Sequence, residues 1–598
     1  MNNRLFFGDN LHVLRDSIAD ASVDLIYLDP PFNSKRDYNL LFKTPKAPRA
    51  GKTSKKSGAV TNEKPEAEYG FGEAQITAFE DTWHWGQQAE NEFREILQHA
   101  NTDVAELMRA LRSFLKENDM MAYLTAMCLR LLELHRVLKP TGSLYLHCDP
   151  TASHYLKVVL DGVFGPENFR NEIIWRRTGS HNAAKRYGPI HDTILFVTKS
   201  ARYTYNNVLR PYMRGHVESR YKLQADGKYR FSSGGNVLTG AGIREGASGG
   251  VWRQFNPTAK RRHWAIPSFY EELMPPEYAS GDSLQKLESL YEAGLVEVVE
   301  GNEWPSMVRY LSERDGTSVQ DIWAYQPYTE RTVVGTDSGI DADVRWYGPT
   351  DPDRLGYPTQ KPTGLLERII RVSSNEGDIV LDPFCGCGTA VHAAQKLKRR
   401  WIGIDITHLA VSLIERRLKE AFPGITFDAH GTPTDIAAAR DLAERDKHQF
   451  QLWACGLVNA QPYQGGRKGA DRGIDGLRYI EVGKNQTEKI IVQVKGGANV
   501  TRSNIAALKG DVDREQAAVG LFITLAEPTR EMLREATAAG HFETPHHGAV
   551  PKIQILTIEA LLAGTKPQLP DLSRGAQTFK KAKREEKDGK RLQTDLGF

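Results

Sequence analysis

The tetrapeptide Asp29-Pro30-Pro31-Phe32 combines groups that could act on an exocyclic amine of a nucleic-acid base. It follows the apolar run VDLIYL, which is typical of a buried strand, and two consecutive prolines predict a rigid turn at the strand end. The lone pair of such an amine is delocalised into the ring. The Asp29 carboxylate and the Pro30 carbonyl could accept both amino hydrogens and align the lone pair with an incoming methyl group, while Phe32 offers a stacking face for a flipped base. A purely structural turn is the alternative for this tetrapeptide taken alone.

A second loop, residues 382–389 (DPFCGCGT), follows an apolar strand pattern and precedes a helical one. Gly386 and Gly388 permit a tight turn and close approach of a ligand to the backbone. Neither the third glycine of a dinucleotide fingerprint nor the GK[ST] of a phosphate loop is present, which favours a ligand with an adenosine moiety but no pyrophosphate. The strand RWIGID ends at Asp405, where a carboxylate can accept hydrogen bonds from ribose hydroxyls. S-adenosylmethionine is such a ligand.

The elements that must position these loops alternate between strand and helix patterns, as in a parallel α/β sheet. We therefore predict a doubly wound, mostly parallel sheet and a second, smaller α/β domain. The chain has 598 residues, of which 40% are hydrophobic and 26% charged, a balance typical of globular proteins. No apolar run is long enough for a membrane helix, and five scattered cysteines favour a reducing compartment, so we expect a cytoplasmic protein without membrane contact.

Composition also predicts where the chain divides. A Lys-, Pro- and Ser-rich stretch at 43–72 is predicted to be a flexible loop, either a linker or a mobile basic lid on DNA. The net charge is only +3, so any nucleic-acid surface must be a local patch. The predicted regions are 1–199 (catalytic half), 200–345 (recognition), 346–425 (cofactor half), 440–565 (smaller domain) and 566–598 (charged tail).

Together the motifs resemble the amino-specific DNA methyltransferases of the beta arrangement, in which the catalytic half precedes the cofactor half. Modification subunits of type III restriction systems belong to that group. The resemblance rests on seven segments: GDN (8–10), DPPFN (29–33), HRVLKPTGSLYLHCD (135–149), NEIIW (171–175), YPTQKPTGLLERII (357–370), DPFCGCGT (382–389) and RWIGID (400–405).

The resemblance implies roles for individual residues. Asp29 through Phe32 are expected to be catalytic, with aspartate at the head of the tetrapeptide favouring adenine N6 over cytosine N4. Lys361 is expected to meet the methionine carboxylate of the cofactor, with a role in starting a helix as the alternative. The expected cofactor pocket comprises Asp9, Lys361, Asp382, Phe384, Gly386, Gly388, Thr389 and Asp405.

The family places target recognition between the two halves, where residues 200–345 lack regular alternation. Basic residues lie beside aromatic ones there, a pattern that suits phosphate contact and base stacking. The predicted DNA contacts are Arg253, Lys260, Arg261, Arg262 and Trp264.

The C-terminal unit carries a different set of polar residues. Asp475 follows a glycine-rich turn, and the strand KIIVQVK presents Gln493 and Lys495 on one face. This pattern resembles the D…QxK variant of the Mrr-like PD-(D/E)xK nucleases, which implies a Mg²⁺ site at Asp475 and Gln493, with Lys495 polarising the attacking water. Where that family has a glutamate after phenylalanine, this chain has Gln451, so a decayed nuclease retained for DNA binding is the alternative.

Three hypotheses for the whole chain follow. The first is a methyltransferase, of adenine N6 or cytosine N4, whose C-terminal unit only binds DNA or partner proteins. The second is a single-chain restriction–modification enzyme that also cleaves DNA with Mg²⁺. The third is a DNA-binding regulator with a vestigial cofactor site, which the intact motifs disfavour. Expected partners are double-stranded DNA, a separate restriction or defence subunit, and a second copy of the chain.

Overall fold

The computed structural model describes part of the chain. The described residues are 2–31, 37–45, 71–80, 83–179, 185, 187–225, 227–233, 235–268, 270, 281–311, 315–334, 336–348, 351, 353–355, 357, 359–463, 473–483, 486–544, 548–569 and 584–585. The chain divides into two compact units. The first comprises Met1–Asn206, Gln320–Tyr325 and Asp343–Lys587, and the described part of the second comprises Asn207–Val319 and Gln326–Ala342.

The N-terminal segment alternates apolar strands with capped helices. The sequence pattern over 90–138 predicts one helical stretch, whereas the structure has three helices there, because Asn101 and Asn118 each accept a backbone N–H and begin a new helix. The strands are β1 (Arg4–Phe7), β2 (Val23–Leu28), β3 (Asp37–Pro45), β4 (Phe71–Glu80), β5 (Leu138–Cys148), β6 (Phe169–Arg176) and β7 (His191–Thr198). The helices are α1 (Asn10–Ser17), α2 (Gln87–Gln98), α3 (Thr102–Leu115), α4 (Asp119–Val137) and α5 (Ser153–Phe164).

The loop predicted at 43–72 differs from the structure at both ends. Residues 43–45 belong to β3 and 71–72 to β4, and these two strands pair antiparallel. The rest of the predicted loop, 46–70, lies outside the described residues.

The second unit is more regular than the sequence indicated. Its strands are only two to five residues long, too short to show an alternating pattern in the sequence. Four of them nevertheless form an antiparallel sheet in the order β13-β14-β10-β9. The strands are β8 (Leu209–Arg210), β9 (Lys222–Leu223), β10 (Tyr229–Ser233), β11 (Thr239–Ala241), β12 (Arg262–Trp264), β13 (Val296–Glu297), β14 (Ser306–Tyr310) and β15 (Thr317–Ser318), and the helices are α6 (Arg214–Arg220) and α7 (Ser283–Glu292). An aromatic core holds this unit together; it includes Trp252, Phe255, Trp264, Tyr270 and Trp304.

The chain then completes the main sheet. Its strands are β16 (Ile322–Trp323), β17 (Ile379–Asp382), β18 (Arg400–Asp405) and β19 (Asp428–His430), and its helices are α8 (Thr363–Ser373), α9 (Thr389–Lys396) and α10 (His408–Ala421). The nine-stranded order is β16-β6-β7-β5-β2-β17-β18-β1-β19. The described pairs are parallel except those that β7 makes with β5 and β6, which confirms the predicted mostly parallel, doubly wound sheet. Strand β16 comes from within the predicted recognition region, which therefore contributes to the main sheet.

The C-terminal domain has a mixed five-stranded sheet in the order β20-β21-β22-β23-β26. Two apolar clusters cover it, and both include residues from its helices. The strands are β20 (Gln461–Pro462), β21 (Gly476–Gly483), β22 (Gln486–Lys495), β23 (Val519–Thr524), β24 (His541–Thr544), β25 (Gly548–Pro551) and β26 (Ile553–Thr557). The helices are α11 (Ile436–Arg445), α12 (Lys447–Leu457), α13 (Arg502–Arg514), α14 (Arg530–Ala538) and α15 (Ile558–Leu562).

Two further expectations concern the whole chain. Within the described residues, none of the helices is both long enough and apolar enough to span a membrane. The predicted charged tail at 566–598 lies almost entirely outside the described residues.

Candidate active site

Four adjacent strands of the main sheet bring an acidic residue to one edge. Strands β2, β17, β18 and β1 run parallel, so their carboxyl ends lie at the same side of the sheet, where open α/β sheets bind ligands. The residues at or just after these ends are Asp29, Asp382, Asp405 and Asp9. Local strand patterns predicted each position separately, and the topology brings the four together.

The glycine-rich loop between β17 and α9 adopts a conformation that depends on glycine. Gly386 has φ +52° and Gly388 has φ +75°, and Gly388 is the residue from which α9 starts. A Cβ on Gly388 would lie 2.8 Å from Ile414 Cγ1. The loop therefore packs closely against α10, in a way that larger residues would prevent.

Asp405 holds this loop to the end of β18. Its Oδ2 accepts a hydrogen bond from Gly386 N at 2.8 Å, and its Oδ1 accepts from Thr407 N and Thr407 Oγ1, both at 2.9 Å. Burial raises the pKa of Asp405, and these hydrogen bonds oppose that rise. The carboxylate thus has a fixed orientation at the strand tip.

Asp382 is buried more deeply at the end of β17. Its Oδ1 accepts a hydrogen bond from Phe384 N at 3.0 Å. Burial raises the pKa of Asp382 well above its usual range, and the nearby Asp29 and Asp405 raise it further, whereas Lys361 lowers it. Such a cluster of carboxylates is costly to bury and favours a binding site for a cationic group.

A cavity of about 340 Å³ lies at this edge, within the range of about 300–1,000 Å³ found for small-molecule sites. Its wall includes seven of the eight predicted cofactor residues; the exception is Gly388, which packs against α10 instead. The lining residues are Gly8, Asp9, Asn10, Asp29, Pro31, Trp83, Gln88, Arg130, Tyr357, Thr359, Gln360, Lys361, Asp382, Pro383, Phe384, Cys385, Gly386, Cys387, Thr389, Ala390, Asp405, Ile406 and Thr407.

The catalytic tetrapeptide is described in part. Asp29 and Pro31 line the cavity, Pro30 is buried, and Phe32 lies outside the described residues. The Nζ of Lys361 donates a hydrogen bond to Asp29 Oδ2. The sequence predicted a contact between Lys361 and the cofactor, whereas the structure pairs this lysine with the predicted catalytic carboxylate.

Sequence reasoning missed Arg130, a buried residue of α4 that lines the cavity. Its guanidinium donates to Asp9 Oδ2 at 2.9 Å and to Asn10 Oδ1 at 2.7 Å. Asn10 in turn donates to the carbonyl oxygen of Pro383 at 2.9 Å. Arg130 therefore connects the end of β1 to the loop after β17. An arginine within a nearly all-apolar stretch of helix was the one signal that could have indicated this role.

A second buried arginine, on α10, holds the cofactor loop by hydrogen bonds. Arg417 of α10 donates to the carbonyl oxygen of Cys387 at 2.9 Å and to Thr389 Oγ1 at 3.3 Å. Thr389 therefore both lines the cavity and accepts a hydrogen bond that ties the loop to α10.

The predicted DNA contacts in the second unit have different environments. Trp264 is only 2% exposed and its Nε1 donates to Gly250 O at 2.8 Å. It belongs to the aromatic core, because burial of a large ring outweighs its use as a stacking face, and its predicted contact with DNA does not hold. Arg262 is partly buried and donates to Thr239 Oγ1 and Thr239 O.

The other three cations lie at the surface. Arg253 pairs with Glu288 and covers the ring of Tyr291, and Lys260 pairs with Glu303. Arg261 is exposed and has φ +55°. These three residues remain predicted contacts.

The C-terminal domain brings its predicted residues together as well. Asp475 directly precedes β21, and its Oδ2 accepts the backbone N–H of Val494, which lies between Gln493 and Lys495. Its Oδ1 accepts a hydrogen bond from Gln451 Nε2 at 3.1 Å. Gln493 is buried, its amide nitrogen donates to Gly473 O at 2.9 Å, and its Oε1 has no hydrogen-bond partner among the described residues.

This donor set does not fit Mg²⁺, which requires several oxygen ligands. Both oxygens of Asp475 accept hydrogen bonds, and position 451, where a second carboxylate is expected, holds a glutamine that directs its N–H toward Asp475. In the described part of the chain, no group of three or more His, Cys, Asp or Glu side chains is arranged to hold a metal ion.

Comparison with known proteins assigns the main sheet and the C-terminal domain to two different families. A family model described as DNA methylase matches residues 23–416, and one described as restriction endonuclease matches residues 442–561. The type II methyltransferase M.EcaI of Enterobacter cloacae is 29% identical over 300 residues, which cover 50% of this chain and 57% of that protein. The Mod subunit of the type III restriction-modification enzyme StyLTI of Salmonella typhimurium is 24% identical over 407 residues, covering 66% of this chain and 50% of the subunit.

The matches thus span little more than half the length of these two relatives. Among solved structures, the M1.HpyAVI–SAM complex matches over 69% of this chain and 98% of its own, at 13% identity and a TM-score of 0.29. The sequence match over residues 23–416 covers most of the chain, and the chain therefore belongs to the N6/N4 DNA methylase family and carries an Mrr-like restriction-endonuclease domain at 442–561.

Proposed function

We propose that this protein transfers a methyl group from S-adenosylmethionine to an exocyclic amino group in double-stranded DNA, with adenine N6 as the target. The observation that carries the proposal is the single cavity wall shared by Asp29, the glycine loop and Asp405. A catalytic carboxylate and a cofactor loop that are far apart in sequence line one space. Aspartate at position 29 is the basis for adenine rather than cytosine.

The cavity fits the cofactor in charge and shape. Its acidic residues suit a cationic ligand, and Gly386, which lines the cavity, has no side chain to keep a ligand from its backbone. When bound, S-adenosylmethionine supplies an electrophilic methyl group on a positively charged sulfur. We assign Asp405 to the ribose hydroxyls and Asp9, Phe384 and Thr389 to the remaining wall.

The chain's own residues prepare the amine. Asp29 accepts one amino hydrogen and the Pro30 carbonyl accepts the other, which directs the nitrogen lone pair toward the methyl group. Methylation of the nitrogen releases one proton, and we assign the Asp29 carboxylate to receive it. Arg130 and Arg417 contribute indirectly, since they hold the ends of β1 and β17 and the cofactor loop in place.

The test is methyl transfer from radiolabelled S-adenosylmethionine to unmethylated plasmid, with the modified nucleoside identified by mass spectrometry. We expect N6-methyladenine from the wild type and at least a 1,000-fold lower rate from Asp29→Ala, on the order expected for a lost catalytic group, with cofactor binding retained. N4-methylcytosine would change the assigned base. Persistent methylation by Asp29→Ala would contradict the catalytic assignment.

For residues 442–561 we propose DNA binding without cleavage, because the donor set at Asp475 does not fit Mg²⁺. The alternative is a bifunctional restriction–modification enzyme, which the buried and unpartnered Oε1 of Gln493 favours. Incubating the same plasmid with Mg²⁺ and scoring strand breaks separates the two. Breaks that disappear in Asp475→Ala would establish the bifunctional enzyme. A homodimer and a separate restriction subunit remain predictions.

A further inference from the structure

We propose that Lys361 is a positioning residue for the catalytic carboxylate: its ammonium holds Asp29 Oδ2, so that Oδ1 is presented to the target amine. The inference rests on the proposed methyl transfer and adds a residue to its machinery. It also replaces the expected role of Lys361 as a ligand of the cofactor carboxylate.

The ion pair between Lys361 and Asp29 is enclosed. The side chains are 10% and 16% exposed, and both residues line the cavity. Because the ammonium takes Oδ2, and because no donor to Oδ1 occurs among the described residues, Oδ1 is the oxygen that remains for a ligand. Because one oxygen of the Asp29 carboxylate is held, the carboxylate cannot rotate freely about χ2. Its second oxygen, Oδ1, therefore keeps a fixed direction.

The backbone around Lys361 is held on both sides. Before it, the side chain of Gln360 accepts a hydrogen bond from Leu355 N at 2.7 Å and donates to Asp353 O at 2.9 Å. After it, Pro362 precedes the first residue of α8, and Thr363 N donates to Tyr347 Oη at 3.1 Å. The lysine therefore approaches Asp29 from a rigid segment, as a positioning role requires.

The surroundings explain why a cation is needed beside Asp29. The negative charge of Asp29 contributes to the raised pKa values of its neighbours Asp382, Tyr27, Tyr357 and Cys148. None of these neighbours can offer a positive charge to balance Asp29. Lys361 supplies that charge, and its field also reaches Asp382 and Asp192. Arg130, the second cation among the described residues that line the cavity, is paired with Asp9.

The two roles for Lys361 predict different kinetics. A ligand of the cofactor carboxylate stabilises the bound cofactor, so its loss weakens cofactor affinity. A positioning residue for Asp29 acts on the bound complex, so its loss lowers kcat at saturating cofactor and leaves the cofactor Kd nearly unchanged.

The experiment compares the full-length wild type with Lys361→Ala and measures kcat, the S-adenosylmethionine Kd and thermal unfolding. Exogenous ethylammonium tests whether a cation alone restores activity. We expect kcat to fall about 100-fold, the loss typical of a misplaced reacting group, with the Kd within threefold and a dose-dependent recovery in ethylammonium.

Lys139→Ala is the matched control. Lys139 pairs with Asp24 at 2.7 Å, near the opposite end of β2 from Asp29, so its loss removes a lysine–aspartate pair from the same strand without touching the cavity. We expect its kcat and Kd to match the wild type. Absence of methyl transfer in both the wild type and Lys139→Ala would refute the proposed function itself.

Three outcomes for Lys361→Ala would overturn the inference. A Kd raised tenfold or more with kcat near wild type would make Lys361 a cofactor ligand. Unchanged kcat and Kd would leave it without a role in the reaction. A lowered melting temperature with lower activity that ethylammonium does not restore would make its role structural.

Discussion

The methyltransferase site and the site around Asp475 place similar residues at similar points of a sheet and treat them differently. At the edge of the main sheet, Asp29 and Asp405 line a cavity. In the C-terminal domain, the two oxygens of Asp475 accept hydrogen bonds from Val494 N and Gln451 Nε2. Protein donors also reach both oxygens of Asp405, so such hydrogen bonds alone do not make a carboxylate structural. The difference is the cavity that lies in front of Asp29 and Asp405.

The sheets account for this difference. In the main sheet, four neighbouring parallel strands end together, and the loops after them leave a crevice. In the smaller sheet, β21 runs antiparallel to β22, so Asp475 at the start of β21 lies beside the last residues of β22. Its carboxylate then meets the backbone of the neighbouring strand, whose N–H groups need acceptors.

Among the variants that test this comparison, Asp405→Ala is expected to have the largest effect. We predict that Asp405→Ala raises the Kd for S-adenosylmethionine by about 100-fold, because charge-assisted hydrogen bonds contribute about 2–3 kcal/mol. The variant also frees Gly386 N and so loosens the glycine loop. Isothermal titration measures the Kd. An affinity within threefold of the wild type would show that the cavity does not bind the cofactor through this carboxylate.

Matched asparagine substitutions should change stability in opposite directions. Asp382→Asn removes a buried charge whose pKa is raised by burial and by neighbouring carboxylates, and asparagine Oδ1 can still accept from Phe384 N. We expect the free energy of unfolding at pH 7.5 to rise by about 1–2 kcal/mol. Asp475→Asn exchanges one acceptor for a donor that faces Val494 N or Gln451 Nε2, and should lower it by a similar amount, about 1–2 kcal/mol.

Urea denaturation of the full chain measures both variants of this pair. Destabilisation by Asp382→Asn would show that the carboxylate is needed for the fold and not only for binding. Stabilisation by Asp475→Asn would show that Asp475 carries the strain expected of a working metal site.

A smaller effect is expected from a substitution that gives the site around Asp475 a second carboxylate. In Gln451→Glu, the donor beside Asp475 becomes a second carboxylate, so we expect a loss of about 1 kcal/mol in metal-free buffer from like-charge repulsion. Added Mg²⁺ should recover that loss in the variant and leave the wild type unchanged. Thermal unfolding with and without Mg²⁺ is the measurement. An equal response of the wild type to Mg²⁺ would show that it already holds the metal.

The smallest effect concerns the contact between the two regions. His408, the first residue of α10, is buried, stacks on Phe7 with ring centroids 3.4 Å apart, and donates its backbone N–H to Gln449 of α12 at 3.4 Å. Burial lowers the pKa of His408 to about 3, while Asp446 raises it and Arg445 lowers it slightly.

The folded protein therefore binds fewer protons at His408 than the unfolded chain between pH 6.5 and 3, so this residue destabilises the fold as pH falls. His408→Phe keeps the stacking and removes the titration. Between pH 7 and 5.5 we expect the wild type to lose about 1 kcal/mol more stability than the variant. Parallel slopes for the two proteins would mean that His408 takes up its proton in the folded state.

Local patterns were sufficient for much of the fold. The strand that ends at Asp405, the glycine loop and the Pro-Pro turn are each specified by neighbouring residues. The sequence pattern over 363–373 and 389–397 also predicts two helices, which agree with α8 and α9 within one residue. The second unit was underestimated, because strands of two to five residues carry too few side chains for a periodicity to be visible. Trp264 was misjudged for a related reason: an aromatic residue beside arginines looks the same in a sequence whether it faces DNA or a core.

By itself the sequence determined which residue types end the strands, and hence that Asp29, Asp382 and Asp405 stand at the carboxyl ends of strands. Apolar strand patterns and turn residues act over a few positions, so they can be read locally. Only the tertiary structure decided which of these carboxylates face a cavity and which partner each one has. Lys361 and Asp29 are 332 positions apart, and Arg130 and Asp9 are 121 apart. Such pairs depend on the order of strands in the sheet. That order brings distant segments into contact, and no local sequence pattern predicts it.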